Sequence, residues 1–223
     1  MKRLITGVVV FCMVLGLGSM AFAQTGEVSV DQWFTNHKLE TEIGSEDKFE
    51  ATARLTGVKG TFDITDKIGI AGSFVFGKSD DFKDKTPKVH GELSNMGIAL
   101  QYKVIPMVKA QAGFFSGGYK LPDGDEYKMS GITVGAAVDA AVGNGIGIFG
   151  EAAYAPIVTA KLDKEELKDS SMMAFEAGGK YDFGQFGVKA GYRYQGFTFK
   201  QEKEKESDSA TFSGFFVGAS VNF

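Results

Sequence analysis

The sequence contains very little cysteine and histidine, and each shortage excludes a class of function. Cys12 is the only cysteine among 223 residues, so the rest of the chain can form neither a disulfide framework nor a cysteine-based metal site. The two histidines, His37 and His90, are far apart and show none of the paired spacings of a zinc motif. We therefore expect no cofactor and no bound metal ion.

Proline is also scarce, and the glycine and aromatic content excludes two further classes of chain. There are 30 glycines but only 4 prolines, and the glycines follow no triplet repeat, which excludes a collagen-like chain. The 20 phenylalanines and 7 tyrosines are too many for simple disorder. The chain is therefore expected to fold.

Long apolar runs are missing except at the beginning of the sequence. A basic pair precedes an apolar run over residues 4–18, and Ala21, Phe22 and Ala23 follow it as a small-x-small cleavage motif. The run is shorter than the ~20 residues of a membrane-spanning helix. We therefore expect residues 1–23 to be a cleavable signal peptide and residues 24–223 to be one domain.

The net charge argues against one class of partner. Cleavage would remove two of the 24 basic residues and none of the 28 acidic ones, which leaves 22 against 28 and a net charge of −6. Nucleic-acid binding requires a basic surface. No nucleic acid is therefore expected as a partner.

Beyond residue 23, apolar residues alternate with small or charged ones in ten segments of roughly ten residues, and this period of two indicates strands rather than helices. The last segment is the clearest, because Phe215, Val217, Ala219, Val221 and Phe223 share one face. Similar alternation occurs over 28–36, 49–64, 68–76, 96–102, 108–114, 132–138, 146–154, 175–183 and 186–194.

The segment 49–64 departs from this regularity. Its alternation changes phase near Gly57 and Val58, which predicts a β-bulge or a glycine kink at that point. On this interpretation both Arg54 and Lys59 belong to the polar face.

The connections between the segments alternate between short and long. Short turns are predicted at 65–67, 103–107, 139–145 and 184–185, and longer charged connections at 37–48, 77–92, 116–128, 157–171 and 200–210. The short turns recur at intervals of roughly 40 residues, the length of a hairpin with one long loop and one tight turn. The chain after residue 23 therefore predicts five consecutive hairpins.

The strands of an antiparallel sandwich would also alternate in this way. The composition of the second, less apolar face of each strand therefore decides between a sandwich and a barrel that spans a membrane. A sandwich exposes that face to water and fills it with Lys, Glu, Thr and Ser, whereas here it carries mainly Gly, Ala and Ser with scattered charges. Such residues suit a narrow interior, and the apolar face then meets lipid. The sequence predicts an all-β fold, a closed antiparallel up-and-down transmembrane β-barrel of ten strands, with eight strands as the alternative.

Aromatic residues gather at the ends of the predicted strands, as expected for two interfacial girdles. The girdle near the short turns comprises Phe62, Tyr102, Phe183, Phe186 and Phe223. The girdle near the long loops comprises Phe34, Phe74, Phe76, Phe114, Tyr154, Phe199 and Phe215.

These features carry a family resemblance. The chain has a signal peptide, strands joined by short and long connections in turn, and a last strand with the pattern Phe215-x-Val217-x-Ala219-x-Val221-x-Phe223. In these features it resembles the small bacterial outer-membrane β-barrels of the OmpA/OmpX/opacity-type superfamily. The resemblance implies a monomer in the outer membrane, surrounded by outer-membrane lipid. It also implies that the barrel-assembly machinery reads the terminal strand, with Phe223 as part of the signal. Ten strands depart from the family's common eight.

Charged residues on the small-residue face determine whether such a barrel is filled or open. The predicted phase points Arg54, Lys59, Lys109, Glu151, Glu176, Lys180, Lys189 and Arg193 inward. If Gly184 and Gln185 form a two-residue type II′ turn, Glu176 lies opposite Arg193, and the two form a lumenal ion pair. The same register places Lys180 opposite Lys189, which is unfavourable, and the sequence offers no explanation for it.

Three functions are compatible with this barrel. The first is a structural, passive role, in which side chains and ion pairs largely fill the lumen while the barrel supports the envelope and displays its loops. The second is a narrow porin for small solutes, and the third is a surface adhesin that binds an unknown ligand through its long loops. Both His37 and His90 fall in predicted outer loops without a catalytic motif around them, so the chain is not expected to be an enzyme.

Overall fold

The computed structural model describes residues 25–41, 47–79, 91–120, 126–162, 165–200 and 207–223. The predicted signal peptide, residues 1–23, and His90 lie outside these ranges. Ten strands make up the described chain: β1 (Thr25–Thr41), β2 (Asp47–Asp63), β3 (Ile68–Ser79), β4 (Glu92–Ile105), β5 (Val108–Lys120), β6 (Glu126–Gly143), β7 (Ile146–Leu162), β8 (Glu165–Phe183), β9 (Phe186–Lys200) and β10 (Ser207–Asn222).

No helix in these ranges is long and apolar enough to cross a membrane.

The ten strands form one closed antiparallel barrel in which each strand pairs with its neighbours in sequence and β1 pairs with β10. The closure extends to the last residue, because Gly26 and Phe223 exchange backbone hydrogen bonds of 2.8 and 3.0 Å. Closing the sheet pairs the backbone groups that an open edge would leave without partners in lipid. The prediction of a ten-stranded up-and-down barrel is confirmed.

Short turns join the strands at one end of the barrel, at the four predicted places. Gly184 begins the turn between β8 and β9 with a φ of +79°, a conformation that glycine adopts without steric cost. A glycine at the first central position is the mark of a type II′ turn. We refer to this end of the barrel as the short-turn end and to the opposite end as the long-loop end.

The strands are tilted relative to the barrel axis. The register of the strand pairs shows this tilt. We start at Phe62 on β2 and move from each residue to its direct partner on the next strand, through β3 to β10 and then β1. This path returns to β2 at Glu50, 12 residues from its starting point (62 − 50). With ten strands, this displacement corresponds to a tilt of about 40°. A row of paired residues therefore climbs toward the long-loop end as it passes from β2 toward β7.

The outer wall carries a belt of exposed apolar side chains in the half of the barrel nearer the short turns. Ile98, Ile132 and Phe215 expose 60%, 69% and 72% of their surface, which no water-soluble sheet would favour at so many neighbouring positions. Lipid is the solvent that such a belt requires. The strands themselves have 12 to 19 residues, more than the 9–11 that cross a bilayer, so they extend beyond the lipid.

The predicted bulge in β2 is wrong, and so is the inward position of Arg54. β2 pairs with both β1 and β3 in unbroken register, and Arg54 lies on the outer wall with an exposed side chain. The apparent change of phase has another cause. Near the long-loop end the apolar residues, such as Leu55, point inward, whereas near the short turns they point outward, as Val58 does.

Two further expectations are corrected for the same reason. Phe199, predicted for the outer girdle, is inside the barrel and only 2% exposed. His37, predicted in an outer loop, belongs to β1 and points into the barrel. Strands continue into regions whose polar outer residues resemble loops in the sequence, because those parts of the wall stand above the lipid.

Candidate functional site in the barrel lumen

Arg193 on β9 forms the centre of the lumenal charge network. Its Nη1 and Nη2 donate to Oδ1 and Oδ2 of Asp31 on β1, at 2.9 and 3.0 Å, and its Nε donates to Oε2 of Glu176 on β8 at 2.8 Å. The side chain of Asp31 is fully buried, and those of Arg193 and Glu176 are nearly so. A guanidinium held by both oxygens of one carboxylate is the strongest common geometry of an ion pair.

The backbone around Asp31 makes room for this pair. Gly57 on β2 and Gly218 on β10 lie directly opposite Asp31 on its two sides. A Cβ on Gly57 would lie 2.5 Å from Oδ1 of Asp31, and one on Gly218 would lie 2.7 Å from its Cβ. Only glycine therefore fits at either neighbour while the carboxylate keeps its place.

The network continues across the lumen from Glu176. Lys59 on β2 contacts Oε1 of Glu176 at 2.7 Å and Oε2 of Glu151 on β7 at 3.2 Å. Gln111 on β5 donates from Nε2 to Oε1 of Glu151 at 2.9 Å. Glu151 and Glu176 are direct cross-strand neighbours, and the ammonium of Lys59 between them offsets their repulsion. One connected chain thus joins β1, β9, β8, β2, β7 and β5.

The opposed lysines of the β8–β9 hairpin diverge toward different acids. Lys180 and Lys189 are direct partners, as the predicted register requires. Lys180 reaches Oδ2 of Asp139 on β6 at 2.7 Å, whereas Lys189 donates to Oγ of Ser29 at 2.6 Å and lies 3.5 Å from Glu27. The repulsion between Lys180 and Lys189 is therefore offset by acids and a hydroxyl group on strands outside the β8–β9 hairpin.

A layer of aromatic rings closes the lumen on the long-loop side of this network. We call it the aromatic layer; its members are Trp33, Phe115, Tyr119, Tyr127, Phe197, Phe199, Phe212 and Phe216, each at most 4% exposed. Within it, Phe115 and Phe197 are 6.4 Å apart between ring centroids, and Tyr127 and Phe199 are 4.9 Å apart.

The aromatic layer rests directly on the charge network. The guanidinium of Arg193 lies 4.6 Å from the ring centroid of Phe216 and 5.4 Å from that of Trp33, distances at which a cation is attracted to a ring face. Above it, the ring of His37 stacks on Phe212 with centroids 4.3 Å apart, and Nδ1 of His37 is 3.3 Å from Oη of Tyr119. Rings and charges therefore form one packed unit.

A smaller space remains near the short-turn end. A cavity of about 260 Å³ lies between the charged wall and a wall of small side chains such as Ala71, Ser73 and Ala99. On the same side, Asp63 pairs with Lys103 and Lys109 at 3.3 and 3.2 Å. The cavity has room for several water molecules, and Phe115 of the aromatic layer is among the residues that line it.

Seven of the eight charged residues predicted to point inward lie in the lumen: Lys59, Lys109, Glu151, Glu176, Lys180, Lys189 and Arg193. Arg54 does not, as described above. The sequence reasoning missed Asp31, which lies in the weak first segment, although its alternation with Ser29, Trp33 and Thr35 was a usable signal. It also missed the aromatic layer, because aromatic residues were assigned to the lipid face alone.

The residues of the predicted assembly signal lie along the outer wall of β10. Phe215, Val217, Ala219 and Val221 are exposed there. Phe223 follows the strand, and its ring centroid is 5.8 Å from that of Phe62 on β2. They form one apolar stripe beside the seam between β10 and β1.

Comparison with known proteins reveals likeness of fold without closeness of sequence. No protein-family model matches the chain, and no curated protein matches it significantly. The outer-membrane protease OmpT from Escherichia coli is 9% identical, with 89% of this chain and 96% of OmpT covered at a TM-score of 0.54. The translocator domain of the autotransporter NalP from Neisseria meningitidis is 10% identical, with 99% and 97% covered at a TM-score of 0.44.

A third structure of this kind, the neisserial surface protein NspA, is 16% identical, with 89% of this chain and 97% of NspA covered at a TM-score of 0.39. At such identities a likeness indicates fold and no activity. The closed ten-stranded wall, its apolar outer belt and the likeness to OmpT together show that the chain has the fold of the outer-membrane β-barrels.

Proposed function

We propose that this barrel has a structural, passive role in the outer membrane: it keeps its lumen closed, contributes to the integrity of the envelope and holds its long loops at the surface. The observation that carries the proposal is the packed unit of aromatic layer and charge network. Its central residues, Arg193, Asp31 and Trp33, are at most 6% exposed, so a solute crossing the lumen would have to displace them. Conduction requires sites that an ion can both enter and leave.

The proposal includes no catalytic step. His37 would be the natural general base among the described residues, but its ring is stacked on Phe212 and is 0% exposed. A substrate could reach it only by opening the aromatic layer.

Planar-bilayer recording tests the proposal. The wild-type barrel, inserted in an unmodified bilayer, should show no steady open level, and liposomes that contain it should not swell in small sugars. Steady conductance of the wild type would instead support a narrow porin and would contradict the proposal.

A matched pair of variants locates the barrier. Trp33→Ala with Phe212→Ala removes two rings from the aromatic layer, so we expect frequent openings. Phe34→Ala with Phe215→Ala removes two rings from the outer wall at neighbouring positions and should leave the bilayer as silent as the wild type does.

A further inference from the structure

The cavity near the short-turn end lies between two unlike walls. We call it the lumenal cavity; its volume is about 260 Å³. One wall is the charge network, and the other is formed by small inward-facing residues of β3, β4 and β6: Ala71, Ser73, Gly97, Ala99 and Ala137. On β4, the outward neighbours Ile98 and Leu100 are bulky and exposed. Small side chains on this strand are therefore confined to the wall where they keep the space open.

Three carboxamide side chains line the lumenal cavity, those of Asn95, Gln101 and Gln111. Nε2 of Gln101 donates to Oε1 of Gln111 at 3.2 Å, and Nε2 of Gln111 in turn donates to Glu151. Oδ1 of Asn95 is buried and has no hydrogen-bond partner within the described strands. Because a buried acceptor is costly to leave unpaired, the donor to Asn95 has to come from the contents of the cavity.

The charged groups of the lumenal cavity are already paired with one another. Lys59 lies between Glu151 and Glu176. Arg193 is held by Asp31 and Glu176. An ion that entered would have to separate one of these pairs and leave a buried charge without its partner. A neutral molecule with several hydroxyl groups avoids this loss, because each carboxylate oxygen can accept a further hydrogen bond while its ion pair stays intact.

The rings and the volume of the lumenal cavity narrow the class of molecule further. Phe115 and Phe149 line it together with the polar groups, and the face of an aromatic ring packs well against C–H groups. The volume equals that of about nine water molecules, which accommodates one pyranose ring but no disaccharide. A pyranose carries hydroxyl groups around its edge and C–H groups on its faces, so it matches both kinds of lining.

The lumenal cavity extends to the short-turn end of the barrel. Pro106 and Met107, in the turn between β4 and β5, are among its lining residues. Lys180 also lines it, and the partner of Lys180, Asp139, is half exposed at that end. A small solute can therefore enter between the short turns.

We propose that the lumenal cavity binds one neutral monosaccharide of hexose size, which enters from the short-turn end. The carboxamides of Asn95, Gln101 and Gln111 bind its hydroxyl groups, and the rings of Phe115 and Phe149 offer the apolar surface for its C–H face. This site goes beyond the passive role proposed above and rests on it in one respect, since a closed lumen holds the sugar and does not pass it on.

Saturation-transfer difference NMR tests the proposal on the refolded chain 24–223, in an amine-oxide detergent that contains no sugar. The probes are glucose, galactose, maltose and glucose 6-phosphate, each titrated to obtain a dissociation constant. Glucose or galactose should bind in the millimolar range. Maltose and glucose 6-phosphate should bind at least about tenfold more weakly, because the first is too large and the second brings an unpaired charge.

Two matched pairs of variants assign the binding to the lumenal cavity. Ala99→Leu fills part of the cavity and should abolish hexose binding, whereas Ala112→Leu makes the same change on the outer wall and should leave it unchanged. Asn95→Leu removes the buried acceptor and should weaken binding about tenfold, the contribution of about one hydrogen bond. Asn36→Leu, at an exposed position of β1, is its control and should bind as the wild type does.

Absence of saturation transfer to both hexoses would overturn the proposal, as would equal binding by Ala99→Leu and the wild type. Tighter binding of maltose or glucose 6-phosphate than of either hexose would overturn it as well. If Asn95→Leu does not refold, the pair Ala99→Leu and Ala112→Leu decides alone. Hexose binding combined with steady conductance would contradict only the closed lumen, whereas a silent bilayer without hexose binding would contradict only the sugar site.

Discussion

Arg193 is held in the lumen by two carboxylates and two aromatic rings, and these surroundings leave it no alternative position. Two carboxylates lie below it and two aromatic rings above it. The net value of a buried ion pair is small when it is compared with a packed apolar substitute, but loss of one partner leaves the other charge buried and uncompensated.

We therefore expect Arg193→Met to lower the free energy of unfolding by about 3–5 kcal/mol, because Asp31 and Glu176 lose their shared cation. Lys38→Met, which removes an exposed ion pair with Glu50, should change it by less than about 1 kcal/mol. Urea titration of both variants in the same lipid vesicles measures the difference.

The double variant Arg193→Met with Asp31→Asn separates electrostatics from packing. If the buried carboxylate causes the loss, the double variant should be more stable than the sum of the two single changes predicts. Strict additivity would show that Arg193 acts through its contacts with Phe216 and Trp33 instead.

At the scale of the strand, β2 explains where sequence reasoning succeeded and where it failed. The alternation predicted that β2 is a strand and placed Lys59 inward, as the structure confirms. It failed at Arg54 because one strand passes through two solvents. Near the short turns lipid lies outside, so Val58 and Phe62 point outward; near the long loops water lies outside, so Ala53 and Leu55 point inward.

The same change of solvent explains the other errors. Phe199, Phe212 and Trp33 lie on the inward face of the strands, in the part of the wall that extends beyond the lipid. A rule that places every apolar residue on the outer wall assigns them to the wrong face. The Glu176–Arg193 pair was predictable because a tight turn fixes the register of its hairpin. The contact of Arg193 with Asp31 was not, because it joins the chain across 162 residues and depends on barrel closure.

The terminal strand permits a test of its own. The ring of Phe223 contacts Phe62 and lies over Gly26, while backbone hydrogen bonds pair Phe223 with Gly26. Because these backbone bonds remain in Phe223→Ala, this variant should refold in detergent much as the wild type does. In cells, we expect the same variant to yield less heat-modifiable, assembled barrel, if the assembly machinery reads this ring.

Phe183→Ala is the matched control for that experiment, since Phe183 is an exposed ring at the same end of the barrel. Equal losses of assembly in the two variants would point to interfacial anchoring in general. Loss of refolding in detergent for Phe223→Ala alone would assign the ring to barrel stability.

For the whole molecule, closure between β1 and β10 is the defining feature, and the near absence of cysteine makes it easy to probe. Val30 and Ala219 are direct partners across the closing seam, within the range of separations that a disulfide spans. Val30→Cys with Ala219→Cys in a refolded chain 24–223 should therefore cross-link on mild oxidation and should remain compact in unheated gels.

The pair Val30→Cys with Val217→Cys provides the control, because Val217 lies opposite Gln32, two residues away along the seam. It should cross-link poorly. Efficient cross-linking of both pairs would indicate a seam with variable register, and cross-linking of neither would indicate an open sheet.

The aromatic layer has a consequence for how the surface of this protein can change. Because the wall beyond the lipid contains its own apolar core, the strand ends from which the long loops depart are fixed by packing inside the barrel and not by the loops themselves. Loops anchored in this way can be lengthened, shortened or exchanged without disturbing the part beneath them. The long loops of this molecule can thus vary in length and sequence while the barrel stays the same.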